Sequence, residues 1–194
     1  MQKELLEQRA THDALTGMLN RGAALDALQR DLDRALRGEE ALQLLYIDID
    51  DLKEINDSFG HGAGDVVLRA VARAFELTTR SSDVVARIGG DEFLVARLGE
   101  GDPGAVLQLA NRILRQLSTT VAVVDDHRIP IRCSVGIATS GPTDIRIDSV
   151  MKRADTALYE AKRYGGSQAV IFGSKGPTCP VAEEDPDSYY LSMS

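Results

Sequence analysis

Apolar residues recur along the chain at two spacings, and these spacings predict the order of its helices and strands. A spacing of three and four residues predicts helices over about residues 21–37, 51–58, 63–80, 103–118 and 148–164. Runs rich in Val, Ile and Leu predict strands over about residues 41–47, 84–86, 93–96, 120–124, 128–138 and 168–172. This order predicts an α+β fold with a ferredoxin-like core (βαββαβ) and an added hairpin. We expect a central, mostly antiparallel sheet flanked by helices, with the helices packed on one face.

Two glycines and two acidic residues lie between two of the predicted strands. Gly89 and Gly90 join these β-type runs, and Asp91 and Glu92 follow them directly. A two-glycine connection predicts a hairpin with a mirror-image turn, because such turns need positive φ. The acids would then lie at the hairpin tip, where a ligand can approach the bare backbone. Polar residues are also favoured in an ordinary surface turn, which is the alternative interpretation.

A second acidic cluster ends the apolar run 41–47. Its residues are Asp48, Asp50 and Asp51, and side-chain alternation places the first two on one face of the predicted strand. Carboxylates gathered at strand ends are typical of Mg²⁺ sites, in which substrate phosphates complete the ligand shell. The alternative is that Asp50 and Asp51 only cap the next helix, and we adopt that interpretation for Asp51 but not for Asp48.

The composition is that of a globular domain and agrees with a soluble enzyme. The chain has 194 residues, of which 43% are hydrophobic, enough for one domain with a core. A net charge of -8 argues against a general nucleic-acid binder, which would carry a basic face. Cys133 and Cys179 form no framework of pairs, as is typical of a reducing cytosol. No apolar run approaches the ~18 residues of a membrane span, so we expect no membrane contact by this segment.

Four separate motifs resemble those of the GGDEF domain family, the diguanylate cyclases. They lie at residues 13–21 (DALTGMLNR), 48–68, 87–93 (RIGGDEF) and 154–162 (ADTALYEAK). The resemblance spans about residues 13–172, nearly the whole chain. It implies a catalytic fold similar to that of nucleotidyl cyclases and polymerase palm domains.

The resemblance also divides the chain into three parts. Residues 1–12 resemble the end of an N-terminal signalling or linker helix, with a frayed terminal helix as the alternative. Residues 13–173 correspond to the GGDEF catalytic domain. Residues 174–194 are rich in Gly, Pro, Ser and acids, which predicts a flexible acidic tail.

The acidic motifs match the metal-binding and catalytic positions of the family. Asp48 and Asp91 match its metal-binding carboxylates, and the carbonyl of Ile49 is implied as a further ligand. Glu92 matches a position that binds metal or helps to deprotonate the ribose 3′-hydroxyl, and these roles remain alternatives. The implied cofactor is Mg²⁺, two ions per active site, with Mn²⁺ as an alternative ion.

The resemblance assigns substrate contacts to six further residues. Lys53 and Lys162 match phosphate contacts, where a lysine supplies a point charge. The two glycines of the signature would let the backbone lie against the triphosphate. Asn56 and Asp65 match the guanine-reading pair, and a carboxylate that accepts from guanine N1–H and N2–H₂ predicts GTP over ATP.

One position departs from the family pattern. The family usually carries Gly-Arg-Asn after the last helix, whereas this chain has Gly165, Gly166 and Ser167. Gly166 therefore replaces an arginine that is implied to contact phosphate. Loss of one charge-assisted contact costs about 1.5–3 kcal/mol, and Arg163 is a candidate for compensation.

Arg80 and Asp83 resemble the inhibitory product site of the family. An Arg-x-x-Asp sequence ends shortly before the signature, at the spacing expected for that site. Arg can bond to a guanine edge or a phosphate while Asp accepts from guanine. The alternative is a basic residue at a helix C-terminus followed by an ordinary loop.

Together these features imply a diguanylate cyclase with product feedback inhibition. Two GTP would be condensed into cyclic di-GMP plus two pyrophosphates, and one set of site residues per chain implies a homodimer. An upstream sensor domain and a cytoplasmic location are expected, with a membrane-tethered full-length protein still allowed. The alternatives are a weak or inactive GGDEF domain that senses GTP or cyclic di-GMP, a cyclase of adenine-containing dinucleotides, and a scaffold that acts through the tail.

Overall fold

The computed structural model describes residues 8–38, 40–177 and 179–180. Its helices, in chain order, are α1 (Arg21–Ala35), α2 (Leu52–Phe59), α3 (His61–Thr78), α4 (Pro103–Thr119) and α5 (Ile147–Arg163). Its strands are β1 (Ala41–Ile49), β2 (Val84–Arg87), β3 (Glu92–Gly99), β4 (Val121–Val124), β5 (His127–Pro130), β6 (Cys133–Thr139), β7 (Gln168–Ile171) and β8 (Cys179–Pro180).

Strand β1 lies near the centre of the main sheet. The strand order is β2-β3-β1-β6-β7-β8, and β4 and β5 form a separate two-stranded sheet. β1 pairs antiparallel with both β3 and β6, whereas β6 and β7 are parallel. The chain order β1, α2–α3, β2, β3, α4, β6 with the spatial order β2-β3-β1-β6 confirms the predicted ferredoxin-like core.

The helices cover both faces of the sheet, so the expectation of helices on one face was wrong. Leu45 and Ile47 of β1 belong to the core that contains residues of α3 and α4. Leu44 and Tyr46 belong to a second core that contains residues of α1 and α5. Because β1 is apolar at successive positions, it would expose half of its apolar side chains if helices covered only one face.

The second predicted hairpin is shorter than expected. Val124 pairs with His127, and the intervening Asp125 and Asp126 both have positive φ, as a mirror-image two-residue turn requires. The run 128–138 is not one strand, because β5 ends at Pro130 and β6 begins at Cys133 and pairs with β1. A proline lacks the N–H needed to extend a ladder, which is consistent with the break at this point.

The two ends of the predicted domain are described only in part. Residues 8–11 are helical, and residues 1–7 of the predicted linker helix lie outside the described residues. Within the segment predicted as a tail, Cys179–Pro180 form β8 and pair with β7, and residues 181–194 lie outside the described residues. No helix in the described part of the chain is both long and apolar enough to cross a membrane.

Candidate active site

The two predicted acidic clusters meet at one end of the sheet. The antiparallel register of β1 and β3 places Asp48 directly opposite Glu92. Beyond that pair, the N–H of Ile49 donates to the carbonyl of Asp91 at 3.1 Å. Side chains directly opposite on antiparallel strands lie close together, and two like charges there are destabilising. The arrangement therefore favours a cation between the strands.

Lys162 supplies one positive charge to this cluster. Its Nζ lies 2.6 Å from Asp48 Oδ1, and it projects from the last turn of α5. Burial raises the pKa of Asp48 to about 6, an effect that the bond to Lys162 opposes and the charges of Asp91 and Asp50 increase. The site thus holds a buried carboxylate that a cation would keep ionised.

Asp50 has a structural role, although the sequence analysis grouped it with Asp48 as a possible metal ligand. Its Oδ1 accepts from Ser134 Oγ at 2.8 Å, and its Oδ2 accepts from the N–H of Ser167 at 3.0 Å. These bonds join the end of β1 to β6 and to the turn after α5. Gly166 in that turn has φ 75°, and a Cβ added there would lie 3.2 Å from Asp50 Oδ2.

The signature hairpin forms, but its turn differs from the one predicted. Arg87 pairs with Phe93, so the connection is longer than two residues. Neither Gly89 nor Gly90 has the positive φ expected of a mirror-image turn. An added Cβ at Gly89 would overlap the present position of the Glu92 carboxylate, whereas Gly90 faces open space. The glycines therefore serve close approach and access rather than a tight turn.

Arg87 holds this loop in place. Its Nη2 donates to the carbonyl of Gly90 at 2.8 Å, and its Nη1 pairs with Asp13 at 3.1 Å. Asp13 Oδ1 also accepts from Thr16, and the bonds to Thr16 and Arg87 lower the pKa of Asp13 against the opposing effect of burial. The first and third sequence motifs are thus one structural unit that positions the acidic loop.

Tyr46 is a site residue that the sequence analysis missed. Its hydroxyl donates to Glu92 Oε1 at 3.3 Å, and burial together with the charge of Glu92 raises its pKa to about 12. Tyr46 precedes Asp48 by two residues on β1, so strand alternation is the sequence signal that places it on the same face. The Tyr46 hydroxyl therefore stays protonated and is a neutral hydrogen-bond donor beside Glu92.

The donor set fits a hard divalent cation that also binds a substrate. No group of three or more His, Cys, Asp or Glu side chains within the described residues is arranged to hold a metal ion by itself. Mg²⁺ usually takes only one or two protein carboxylates and completes its shell with water and phosphate oxygens. The juxtaposed Asp48, Glu92 and Asp91 supply oxygen ligands of that kind.

The helices after β1 bring together the candidate guanine contacts. The side chain of Asn56 packs on Gly64, where an added Cβ would overlap its carboxamide. Asn56 Oδ1 is buried and has no hydrogen-bond partner among the described residues. Asp65, next to that glycine, is exposed and lies 3.8 Å from Arg69. One unsatisfied amide oxygen and one exposed carboxylate therefore flank the α2–α3 contact.

The N-terminus of α2 differs from the capped end that the sequence predicts. Asp51 occupies the N-cap position, but it has φ 60° and its side chain accepts no capping bond. The expectation that Asp51 caps the helix through its side chain was therefore wrong. Lys53 is exposed in the first turn. The free N–H groups and this lysine suit an anion at the helix end.

The predicted product site contains a buried ion pair. Asp83 Oδ2 accepts from Arg97 Nη2 at 2.7 Å and from the N–H of Arg80 at 2.9 Å. The Asp83 side chain is only 3% exposed, whereas Arg80 is exposed. Contact between Asp83 and a guanine would require this pair to open, and Arg97 is a partner that the sequence analysis did not identify.

Comparison with known families decides what this arrangement is. The family model described as "Diguanylate cyclase, GGDEF domain" matches residues 10–168. The chain belongs to the GGDEF domain family. This GGDEF domain is 35% identical over 169 residues to the probable diguanylate cyclase DgcC of Escherichia coli strain K12, covering 87% of this chain and 45% of that protein.

Further relatives agree with this assignment. The domain is 38% identical over 162 residues to the diguanylate cyclase DgcP of Pseudomonas aeruginosa, covering 81% of this chain and 23% of that protein. It therefore spans less than half the length of both curated relatives. The crystal structure of the GGDEF domain of DgcB from Caulobacter crescentus, in complex with c-di-GMP, matches with a TM-score of 0.81 at 33% identity. That match covers 85% of this chain and 97% of the other.

Proposed function

We propose that this GGDEF domain is a diguanylate cyclase that condenses two GTP into cyclic di-GMP with release of two pyrophosphates. The observation that carries the proposal is the placement of Asp48 opposite Glu92, with Asp91 beside them and Lys162 paired with Asp48. A partly buried acidic cluster next to a lysine suits the joint binding of divalent cations and a triphosphate. The relatives named diguanylate cyclases support the same reaction.

Asp48, Asp91 and the carbonyl of Ile49 would hold the Mg²⁺ ions. The chemistry that such ions supply is neutralisation of developing phosphate charge and a lower pKa for the attacking hydroxyl. Glu92 either completes this ligand set or accepts the proton of the ribose 3′-hydroxyl. The bond from the Tyr46 hydroxyl orients Glu92 in both cases.

Positive groups around the cluster would bind the triphosphate. Lys162, which is paired with Asp48, would contact phosphate once bound cations neutralised that carboxylate. Lys53 and the uncapped N–H groups of α2 bind further phosphate oxygens. The backbone at Gly89 and Gly90 lies beside the substrate, where Gly90 leaves open space.

Asn56 and Asp65 would select guanine. The buried Asn56 Oδ1 has no partner in the described part of the chain, and a guanine N–H would satisfy it. The Asp65 carboxylate accepts from N1–H and N2–H₂, a donor pair that adenine does not present. A buried acceptor left unpaired by the wrong base gives discrimination in favour of GTP.

The reaction requires two chains. Each chain holds one set of these residues, so a homodimer places two GTP molecules against each other. The 3′-oxygen of one GTP bonds to the α-phosphorus of the other, the bond to the bridging oxygen of the β-phosphate breaks, and pyrophosphate leaves. A second, reciprocal step closes the ring. An upstream sensor in a longer protein in the cytoplasm would set the dimer geometry through the segment before residue 13.

We assign product feedback to the turn that contains Arg80 and Asp83. The exposed Arg80 is available to bind a guanine edge or phosphate. Asp83, held by Arg97 and by the N–H of Arg80, keeps the turn in shape. Cyclic di-GMP bound there would hinder the approach of two active sites.

A GGDEF domain that senses GTP or cyclic di-GMP without turnover is the second candidate function. The observation that favours it is Gly166, which offers no side chain where the family pattern has an arginine. Thermal unfolding with GTP and Mg²⁺, ATP and Mg²⁺, or cyclic di-GMP separates the two functions, because a bound ligand raises the midpoint. A cyclase is stabilised by GTP and forms product. A sensor is stabilised by GTP or by cyclic di-GMP without forming product. If neither GTP nor cyclic di-GMP raised the midpoint, both functions would be contradicted.

A further inference from the structure

We propose that Arg132 is a substrate-positioning residue that binds the triphosphate at the acidic site. This inference rests on the proposed function, since it concerns the nucleotide bound beside Asp48. Neither the sequence motifs nor the family resemblance points to Arg132. Its position in the sheet does.

The pairing of β1 with β6 carries Arg132 to the edge of the site. The register places Asp48 opposite Ser134 and Ile49 opposite Cys133. The N–H of Asp50 then donates to the carbonyl of Arg132 at 3.0 Å, which continues the ladder by one residue. Arg132 is therefore the neighbour of Asp50 across the two strand ends.

Burial of the flanking residues shows which face Arg132 occupies. Ile131 and Cys133 are both buried in the core beneath α3 and α4. In extended backbone the intervening residue points the other way, to the face of Ser134 and Asp48. Lys162 reaches that face from α5. Arg132 is exposed there, at the rim of the acidic cluster.

The Arg132 guanidinium is free to bind an anion. Within the described residues its side chain makes no hydrogen bond or ion pair. Asp50, the nearest carboxylate along the ladder, is already bonded to Ser134 and Ser167. A fork of five N–H donors matches phosphate oxygens well, so a triphosphate held at Asp48 and Lys162 would meet this group.

Gly166 borders the same carboxylate. An added Cβ there would lie 3.2 Å from Asp50 Oδ2. A guanidinium introduced at residue 166 would therefore start close to the place that Arg132 serves. Both positions lie next to Asp50, which makes an exchange experiment possible, and Gly166→Ala controls for the backbone strain of any side chain at φ 75°.

Kinetics and binding of Arg132→Ala and Arg132→Lys test this inference, with Arg128→Ala on the exposed side of β5 as the matched control. We expect Arg132→Ala to raise the KM for GTP by about 10- to 100-fold, the range of one charge-assisted contact, with a smaller change in kcat. Arg132→Lys should recover part of the loss, and Arg128→Ala should match wild type. Binding of GMP should weaken less than binding of GTP, because GMP lacks the β- and γ-phosphates.

The exchange variant strengthens the test. Gly166→Arg in the Arg132→Ala background should recover GTP affinity, whereas Gly166→Ala should not. An unchanged KM and GTP affinity in Arg132→Ala would overturn the inference while leaving the cyclase intact. Equal weakening of GTP and GMP, with a lower unfolding midpoint, would also overturn it by indicating a structural role. Wild-type protein that fails to bind GTP would instead refute the proposed function, and this inference with it.

Discussion

Lys162 Nζ lies 2.6 Å from Oδ1 of Asp48, joining the last turn of α5 to the end of β1. This contact places a cation on a carboxylate that also faces Glu92 across the strands and the charge of Asp91. Lys162 comes from the fourth motif, at residues 154–162, yet it lies beside the acids of the second and third motifs. The active site is therefore assembled from three distant segments.

Replacing Lys162 with Ala should weaken GTP binding. The variant loses one charge-assisted phosphate contact, so the KM for GTP should rise by about tenfold or more. Lys152→Ala, an exposed lysine on the same helix, is the matched control and should behave as wild type. Equal KM values for the two variants would exclude a phosphate contact by Lys162.

Asp48→Asn should abolish activity and change how stability depends on pH. Burial raises the folded-state pKa of Asp48 to about 6 from 3.8, so its ionised form destabilises the metal-free protein. A raised carboxyl pKa gives a contribution that is fully favourable below pH 3.8 and is lost as pH rises through 6. At pH 7 without metal, the variant should be more stable than wild type by up to about 3 kcal/mol.

Urea unfolding with a chelator at pH 7 and at pH 4 measures this difference. The gain of the Asp48→Asn variant should shrink towards zero at pH 4, because wild-type Asp48 is then largely protonated. Other groups titrate in both proteins and cancel in the difference. A variant that is less stable than wild type by the same amount at both pH values would contradict the destabilisation assigned to ionised Asp48.

Asp65→Ala should relax the choice of base. The carboxylate accepts from two guanine donors, so its loss should reduce the preference for GTP over ATP by at least about a hundredfold in kcat/KM. Asp57→Ala, an exposed acid on α2, is the control and should leave the preference unchanged. A preference retained in full by Asp65→Ala would assign base selection to other residues.

Arg80→Ala should relieve product inhibition without affecting the initial rate. Arg80 is exposed, so its removal should leave folding intact while raising the half-inhibitory concentration of cyclic di-GMP by about tenfold or more. Arg97→Ala should differ, because it leaves the buried Asp83 carboxylate without a counter-charge and should cost about 3–5 kcal/mol of stability. Inhibition assays and urea unfolding of both variants measure these two effects. Unchanged inhibition of Arg80→Ala by cyclic di-GMP would refute a product site at Arg80.

The positions of the helices and strands along the chain were largely predictable from sequence, whereas the faces of the sheet that the helices cover were not. Helix α4 extends over Pro103–Thr119, close to the predicted 103–118, because its apolar residues follow a helical period. The number of covered faces depends on what packs against β1, and periodicity does not report that. The break between β5 and β6 likewise depends on which strand β6 pairs with, which is a tertiary choice.

Site residues that belong to a sequence motif were predictable, whereas contacts that depend on how the strands pair were not. Asp48 and Glu92 are evident as ends of apolar runs, but their direct opposition follows from the pairing of β1 with β3. The same dependence hides Arg97 as the partner of Asp83 and Tyr46 as the partner of Glu92. Local sequence also could not separate Asp50, bonded to Ser134, from its neighbour two residues before.

The most direct test of the account is a chromatographic assay for cyclic di-GMP after incubation of the protein with GTP and Mg²⁺ over a range of protein concentrations. We expect product that rises more steeply than linearly with protein concentration, because two chains form one catalytic unit. Product should be absent with Asp91→Asn/Glu92→Gln protein and with ATP as substrate. No product at high protein concentration, with GTP still bound, would contradict the cyclase and favour a nucleotide sensor.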